Sequence, residues 1–197
     1  MFILQREMCK NQQVMYTKVS IPKNSEGAGA ATIKKPTVIL IDVADVASEP
    51  SRELGSPNIS GDITLKEGAK AVGIYATPSS IEITRESSGD VDARSTIKGI
   101  AYDHPGDSDA IEGHLEAYLN KGVIALVTEC DGNAAGRVRM VGSVCNPLNL
   151  EPEYTNTSEA TRNHFVWKQA QGDKFGIATY SGKLPTLAAD AEAETGA

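Results

Sequence analysis

Along most of the chain, apolar positions either cluster in short blocks or alternate with polar ones, and both patterns belong to β-strands. Residues 37–43 (TVILIDV) form a β-branched block of strand length, the pattern of a strand buried on both faces. Residues 122–128 (GVIALVT) repeat it. Alternation marks half-buried strands at 81–85 (IEITR), at 94–102, where Gly99 interrupts it, and at 137–142 (RVRMVG). Weaker strand signals stand at 62–66, 71–75, 148–154, 164–169 and 177–180. Asp131-Gly132-Asn133 is a strong turn signal that folds 137–142 back onto 122–128 as a hairpin.

One segment has the helical period. Across 109–119, Ile111, Leu115 and Leu119 stand four apart on one face, with Glu112 and Glu116 on the solvent flanks. Ser108 or Asp109 caps this helix, Asp109 and Glu112 have capping-box spacing, and Lys121-Gly122 stops it. Many short strands at regular turn spacing with a single helix predict a mainly β fold, not βαβ units. The expected architecture is a β-sandwich or half-barrel with one flanking amphipathic helix.

The ends read differently. Residues 1–35 mix polar side chains with isolated Met and Val and finish in a Gly/Ala/Ser stretch (KNSEGAGAATIKK), which predicts an N-terminal arm or linker. The β domain is expected over 36–186, with an extended irregular loop at 44–61 punctuated by Pro50, Gly55 and Pro57. Residues 187–197 (LAADAEAETGA) read as a flexible acidic C-terminus.

Charge narrows the function classes. Asp and Glu number 26 against 19 Lys and Arg in 197 residues, a net charge of −7. The basic residues are scattered, the densest being Lys34-Lys35 and the pair Arg137 and Arg139. Such a chain is a poor clamp for a phosphate backbone, although like-charge repulsion suits nucleic acid sliding past without binding. No apolar run approaches the ~20 residues that span a bilayer, so no membrane is expected. The first residues lack a signal-peptide pattern, which predicts a protein that stays in the cell that makes it or in a particle assembled there.

The candidate chemistry thins out under inspection. Cys9, Cys130 and Cys145 are odd in number and widely spaced, which supports neither a disulfide framework nor a zinc site. His104 precedes Pro105-Gly106 in an expected loop, His114 is on the helix and His164 opens a strand; none sits at metal spacing with another, and no HxH, HExxH or His-plus-paired-acid pattern appears. Asp103, Asp107 and Asp109 with Ser108 resemble a sparse calcium loop without its required Gly and Glu, and more simply they favour the positive end of the helix. The stretch from Gly132 to Gly136 before Arg137 joins two strands and matches no phosphate-loop pattern. Ser79-Ser80 and Ser87-Ser88 lie in expected turns with no nucleophile elbow. Phe165 and Trp167 share one face of a strand, and core packing is favoured over a base-stacking platform, which would have only Lys168 as a basic neighbour. The sequence therefore predicts no catalytic residue, no metal and no cofactor.

The order of segments carries a resemblance. It runs TPSSIEITRE (77–86), a polar turn and an alternating strand, then the PGDSDA helix start (105–110). NKGVIALV (120–127), a DG turn and NPLNLE (146–151) follow, then an aromatic strand ending in KQ and finally YSGKLP (180–185). This order resembles the tail-tube-like structural proteins of tailed phages, particularly those of Bacteroidota, over about the last two-thirds of the chain. The resemblance implies a virion structural protein rather than an enzyme. Its subunits would join strands edge to edge into a homo-oligomeric ring, and stacked rings would form a conduit for DNA. It further implies other tail or neck proteins as partners and the virion tail as location, after assembly in the host cytoplasm. Ring closure would cover exposed strand edges, and the arm and loop could order against a neighbour. Candidate subunit-interface residues are Thr32, Ile33, Val46, Leu54 and Ile59. The alternatives are a head–tail connector or capsid decoration protein and, behind them, a virion-associated enzyme with a spatially assembled site.

Overall fold

A computed structural model describes residues 18–23, 29–130, 136–157 and 161–189. Strand β1 (Ile33–Asp42) leads through a 3₁₀ turn (Val43–Asp45) into the short strands β2 (Val46–Ser48), β3 (Asn58–Ile59), β4 (Thr64–Leu65) and β5 (Val72–Tyr75). The longer β6 (Glu82–Ser88) and β7 (Ser95–Pro105) precede α1 (Asp109–Tyr118), the single α-helix among the described residues. Then come β8 (Val123–Cys130), β9 (Arg137–Val141), β10 (Leu148–Asn156), β11 (Thr161–Gln169) and β12 (Ala178–Tyr180). The fold is mainly β with one helix, and a parallel β3–β12 pair makes the otherwise antiparallel main sheet mixed.

That sheet forks at β8. One edge of β8 carries β1, from Val38↔Val127 to Asp42↔Val123. The other edge carries β9 along Ala125–Glu129 and β10 at the single pair Leu148↔Val123. Two branches result, β3-β12-β9-β8-β1-β5 and β10-β11-β7-β6. The turn at the fork needs Gly142, whose φ of 88° is left-handed and whose added Cβ would stand 3.0 Å from Val123 O.

The apolar blocks at β1 and β8 are buried because each serves two cores. Val38 and Leu40 of β1, with Val123, Ala125 and Val127 of β8, face Ile100, Tyr102, Phe165 and Trp167 of the second branch. Their alternate neighbours Ile39, Ile41, Ile124 and Leu126 face the opposite side and pack on Ile59, Ile63, Ala71 and Tyr180. Burying a side chain of this size contributes roughly 1.5–3 kcal/mol, which explains the unbroken apolar run.

The second core is roofed in part by the segment expected to be an extended irregular loop. Val43, Val46, Ile59, Ile63 and Leu65 all turn inward on it. The Ile63 N–H donates to Tyr180 Oη (3.0 Å), which donates to Lys183 O (2.8 Å), and the Lys183 N–H donates to Asp62 Oδ1 (2.7 Å). The loop at 44–61 thus packs on its own domain through Val46 and Ile59, and the arm boundary at 35 is too late because Ile33–Asp42 is one strand. Leu187 pairs with Ala71, so the body also extends past 186.

Helix α1 forms where expected with three corrections. Ser108 is the N-cap, its Oγ accepting from the Ile111 N–H at 3.4 Å, so Asp109 already lies in the first turn and makes no capping box with Glu112. Leu119 lies beyond the helix end and is 52% exposed. His114 and Tyr118 complete the inner face instead, with rings 4.4 Å apart, His114 edge-on to Phe165 and Tyr118 edge-on to Trp167. Strands β6 and β7 also run longer than the pattern predicts, taking in Ser87-Ser88 and His104.

Candidate functional site

The second branch ends in two open strands. Among the described residues, strand β6 pairs only with β7, while β10 pairs with β11 along its length and touches β8 only at Leu148. One four-stranded sheet therefore offers an unpaired edge on each side. Pro152 interrupts the β10 edge with a residue that has no N–H to donate.

The outer face of this sheet is polar because its inner face uses the apolar half of each alternation. Register sets His164 beside Asp103 on β7 and Glu153 on β10. His164 Nδ1 lies 2.6 Å from Asp103 Oδ1, and Arg162 Nη1 lies 3.3 Å from Asp103 Oδ2. Lys168 Nζ crosses β7 to Glu86 Oε2 at 3.0 Å. An imidazole held by a carboxylate is oriented for proton transfer, and its partner 61 residues away escaped sequence reading. The nearby Ser80 hydroxyl is engaged structurally, donating to Thr77 O and accepting from the Asp103 N–H, both at 2.8 Å.

At the far end of β7 the inward side chain is Lys98, 4% exposed. Its Nζ meets Asp173 Oδ1 at 2.5 Å and Phe175 O at 3.1 Å. The other Asp173 oxygen accepts from Asn146 Nδ2 (3.1 Å), and the Phe175 N–H donates to Oδ1 (2.8 Å). Burial pushes the Asp173 carboxyl upward, but these hydrogen bonds and the Lys98 charge outweigh it and hold it below the ordinary aspartate range.

Beside this pair lies a depression of about 210 Å³. Its lining includes Arg52, Arg85, Lys174, Phe175, Leu54 and Pro57, and contains no acidic residue. Arg52 donates from Nη1 to Gly176 O (2.7 Å) and lies 5.0 Å over the Phe175 ring, while its Nε is buried without a partner. Burial lowers the Arg52 pKa, and Asp173 opposes that shift.

The candidate interface residues have separate fates. Ile59 is 3% exposed and Val46 packs on the second core, so neither is free for a neighbour. Leu54 lines the depression, Ile33 is 71% exposed at the start of β1, and Thr32 is half-buried beside it. The three aspartates of the calcium-like stretch diverge: Asp103 goes to His164, Asp107 accepts from Tyr154 Oη (2.8 Å), and Asp109 opens the helix. Arg137 and Arg139 both turn to Glu129 of β8, at 2.7 and 2.9 Å. Their register on β8 is the hairpin expected from the Asp-Gly turn, whose own residues lie outside those described. Phe165 and Trp167 are core residues. Cys130 is half-buried and Cys145 exposed, while Cys9 and most of the arm lie outside the described residues. No three metal-ligating side chains gather among the described residues, and none of their helices is long and apolar enough to cross a membrane.

No family model, curated protein or solved structure matches this chain.

Proposed function

We propose that the chain is a virion structural protein, a ring-forming subunit of the phage tail-tube type that builds a conduit for DNA. The observation that carries this reading is the second branch, whose outermost strands β6 and β10 leave outer edges without a strand partner among the described residues, Leu148 apart, on opposite sides of one sheet. A subunit with two different open edges propagates head to tail, and a head-to-tail contact closes into a ring when the rotation allows. The acidic balance of the chain suits a lumen that DNA passes without adhering. Partners are then further copies of this chain and other tail or neck proteins, and the location is the virion tail.

A head–tail connector or decoration protein is the second reading, favoured by one observation. Pro152 removes a donor from the β10 edge and so weakens continuous strand pairing there. Negative-stain imaging and sedimentation of the concentrated full chain test the choice. Stacked rings or tubes are expected, and a chain that stays monomeric at high concentration overturns the tube reading.

A further inference from the structure

In a chain where acids outnumber bases, Arg52, Arg85 and Lys174 converge on one depression with no acid in its lining. The carboxylate that acts on Arg52, Asp173, is already bound by Lys98, Asn146 and the Phe175 N–H. Arg85 and Lys174 form no ion pair among the described residues, and Arg52 spends one nitrogen on a carbonyl and its flat face on Phe175. Three cations that share only the engaged Asp173 as counter-charge repel one another and attract a multivalent anion. The depression is open and sets its cations among Leu54, Pro57 and Phe175, so its ligand is an anionic chain with small apolar side chains between its charges.

The same sequence contains the complement. Asp190, Glu192 and Glu194 alternate with Ala191 and Ala193. Laid out extended, alternate residues share a face, with their carboxylates spaced by about 6.6 Å. Resting on the self-assembly reading, we infer that residues 190–194 of one copy dock in the Arg52–Arg85–Lys174 depression of a second copy. The donor is a second copy because of reach. The Ala188 N–H is held by Ala71 O at 2.8 Å, which fixes the departure point beside β5. The depression adjoins β12, four strands away in the order β12-β9-β8-β1-β5, or about 19 Å at ~4.8 Å per spacing. Asp190 is two residues past Ala188 and reaches only about 7 Å. The three carboxylates of one copy therefore cannot meet its own three cations together.

The test measures anisotropy of a labelled synthetic peptide of residues 186–197 against full chain carrying Asp190→Ala, Glu192→Ala and Glu194→Ala, so that the acceptor is free. Saturable binding is expected, weakening about tenfold or more between low and high salt, because exposed charge pairs are screened within a Debye length. Adding Arg85→Glu and Lys174→Glu, both at exposed positions, should abolish binding, and a peptide with Lys at 190, 192 and 194 should restore it. That rescue also shows that the variant is folded. No binding at low salt, or binding indifferent to the charge reversal, overturns the inference. Failure of the unaltered chain to form rings would sink the assembly reading instead, since the peptide measurement decides docking by itself.

Discussion

Lys98 Nζ and Asp173 Oδ1 meet at 2.5 Å across 75 residues, and the lysine that makes this contact is among the most buried charges in the protein. The pair closes the end of the first core near the start of β7, tying the segment before β12 to the second branch. Removing one partner strands the other. Asp173→Ala should cost roughly 3 kcal/mol, near the lower end for a broken buried pair because the Asp173 side chain keeps 24% exposure. Urea unfolding measures it, and a loss under 1 kcal/mol would mean that water already solvates Lys98.

The same pair sets an acid limit. The folded-state Asp173 pKa lies below the ordinary 3.8, so its charged form adds stability above that value and loses it as pH falls through the lower folded value. Asp173→Asn should show a flatter decline in stability below pH 4 than the parent chain, read from denaturant midpoints.

His114 acts over a different window. Burial on the inner face of α1, with a smaller contribution from His104, lowers its pKa to about 4 from 6.5. Between those values the unfolded chain holds more protons than the folded one, so stability falls as pH is lowered from 6.5 toward 4. His114→Phe keeps the ring contacts with Tyr118 and Phe165 and should remove that part of the slope. An unchanged slope across the window would assign it to other groups.

Trp167 is the sole tryptophan and is fully buried, its Nε1–H donating to Tyr102 Oη at 3.1 Å. Tyr102→Phe keeps the stacked contact with Phe165 but leaves the indole N–H unsatisfied, at about 1–3 kcal/mol. Tryptophan emission should stay blue-shifted in the folded variant while the unfolding midpoint drops. A red shift without denaturant would mean that the core itself has opened.

Glu129 is 7% exposed and receives both Arg137 and Arg139. Glu129→Ala should cost about 2 kcal/mol, limited because both arginines retain some water. In a double-mutant cycle with Arg139→Ala, the combined loss should fall short of the sum of the single losses. Strict additivity would show that the two side chains do not interact.

How much of this was legible depends on the range of each signal. Strands β1 and β8 stand out because burial on two faces demands an unbroken apolar block, and α1 stands out because Ile111 and Leu115 repeat at its period. Leu119 was misplaced because the same period continues past the residue where the helix ends, while His114 and Tyr118 fill the face that Leu119 was expected to cover. The packing of the 44–61 segment escaped because Val46 and Ile59 reach the second core from strands of three and two residues, too short to show a periodicity. The pairs Asp103–His164 and Lys98–Asp173 depend on strand register between distant segments, and single-residue spacing carries no trace of them. The Arg52–Arg85–Lys174 cluster was hidden for the same reason, since three separate segments contribute one cation each.

The fork at β8 has a kinetic consequence. Because β1 and β8 supply side chains to both cores, neither core can be completed without the pairing that also begins the other. That pairing joins residues about ninety positions apart, as in Val38↔Val127, and closing so long a loop is slow. A ribosome must therefore release most of the chain before β1 gains β8, and until then the apolar block at residues 37–43 has only the four-residue β5 to pair with.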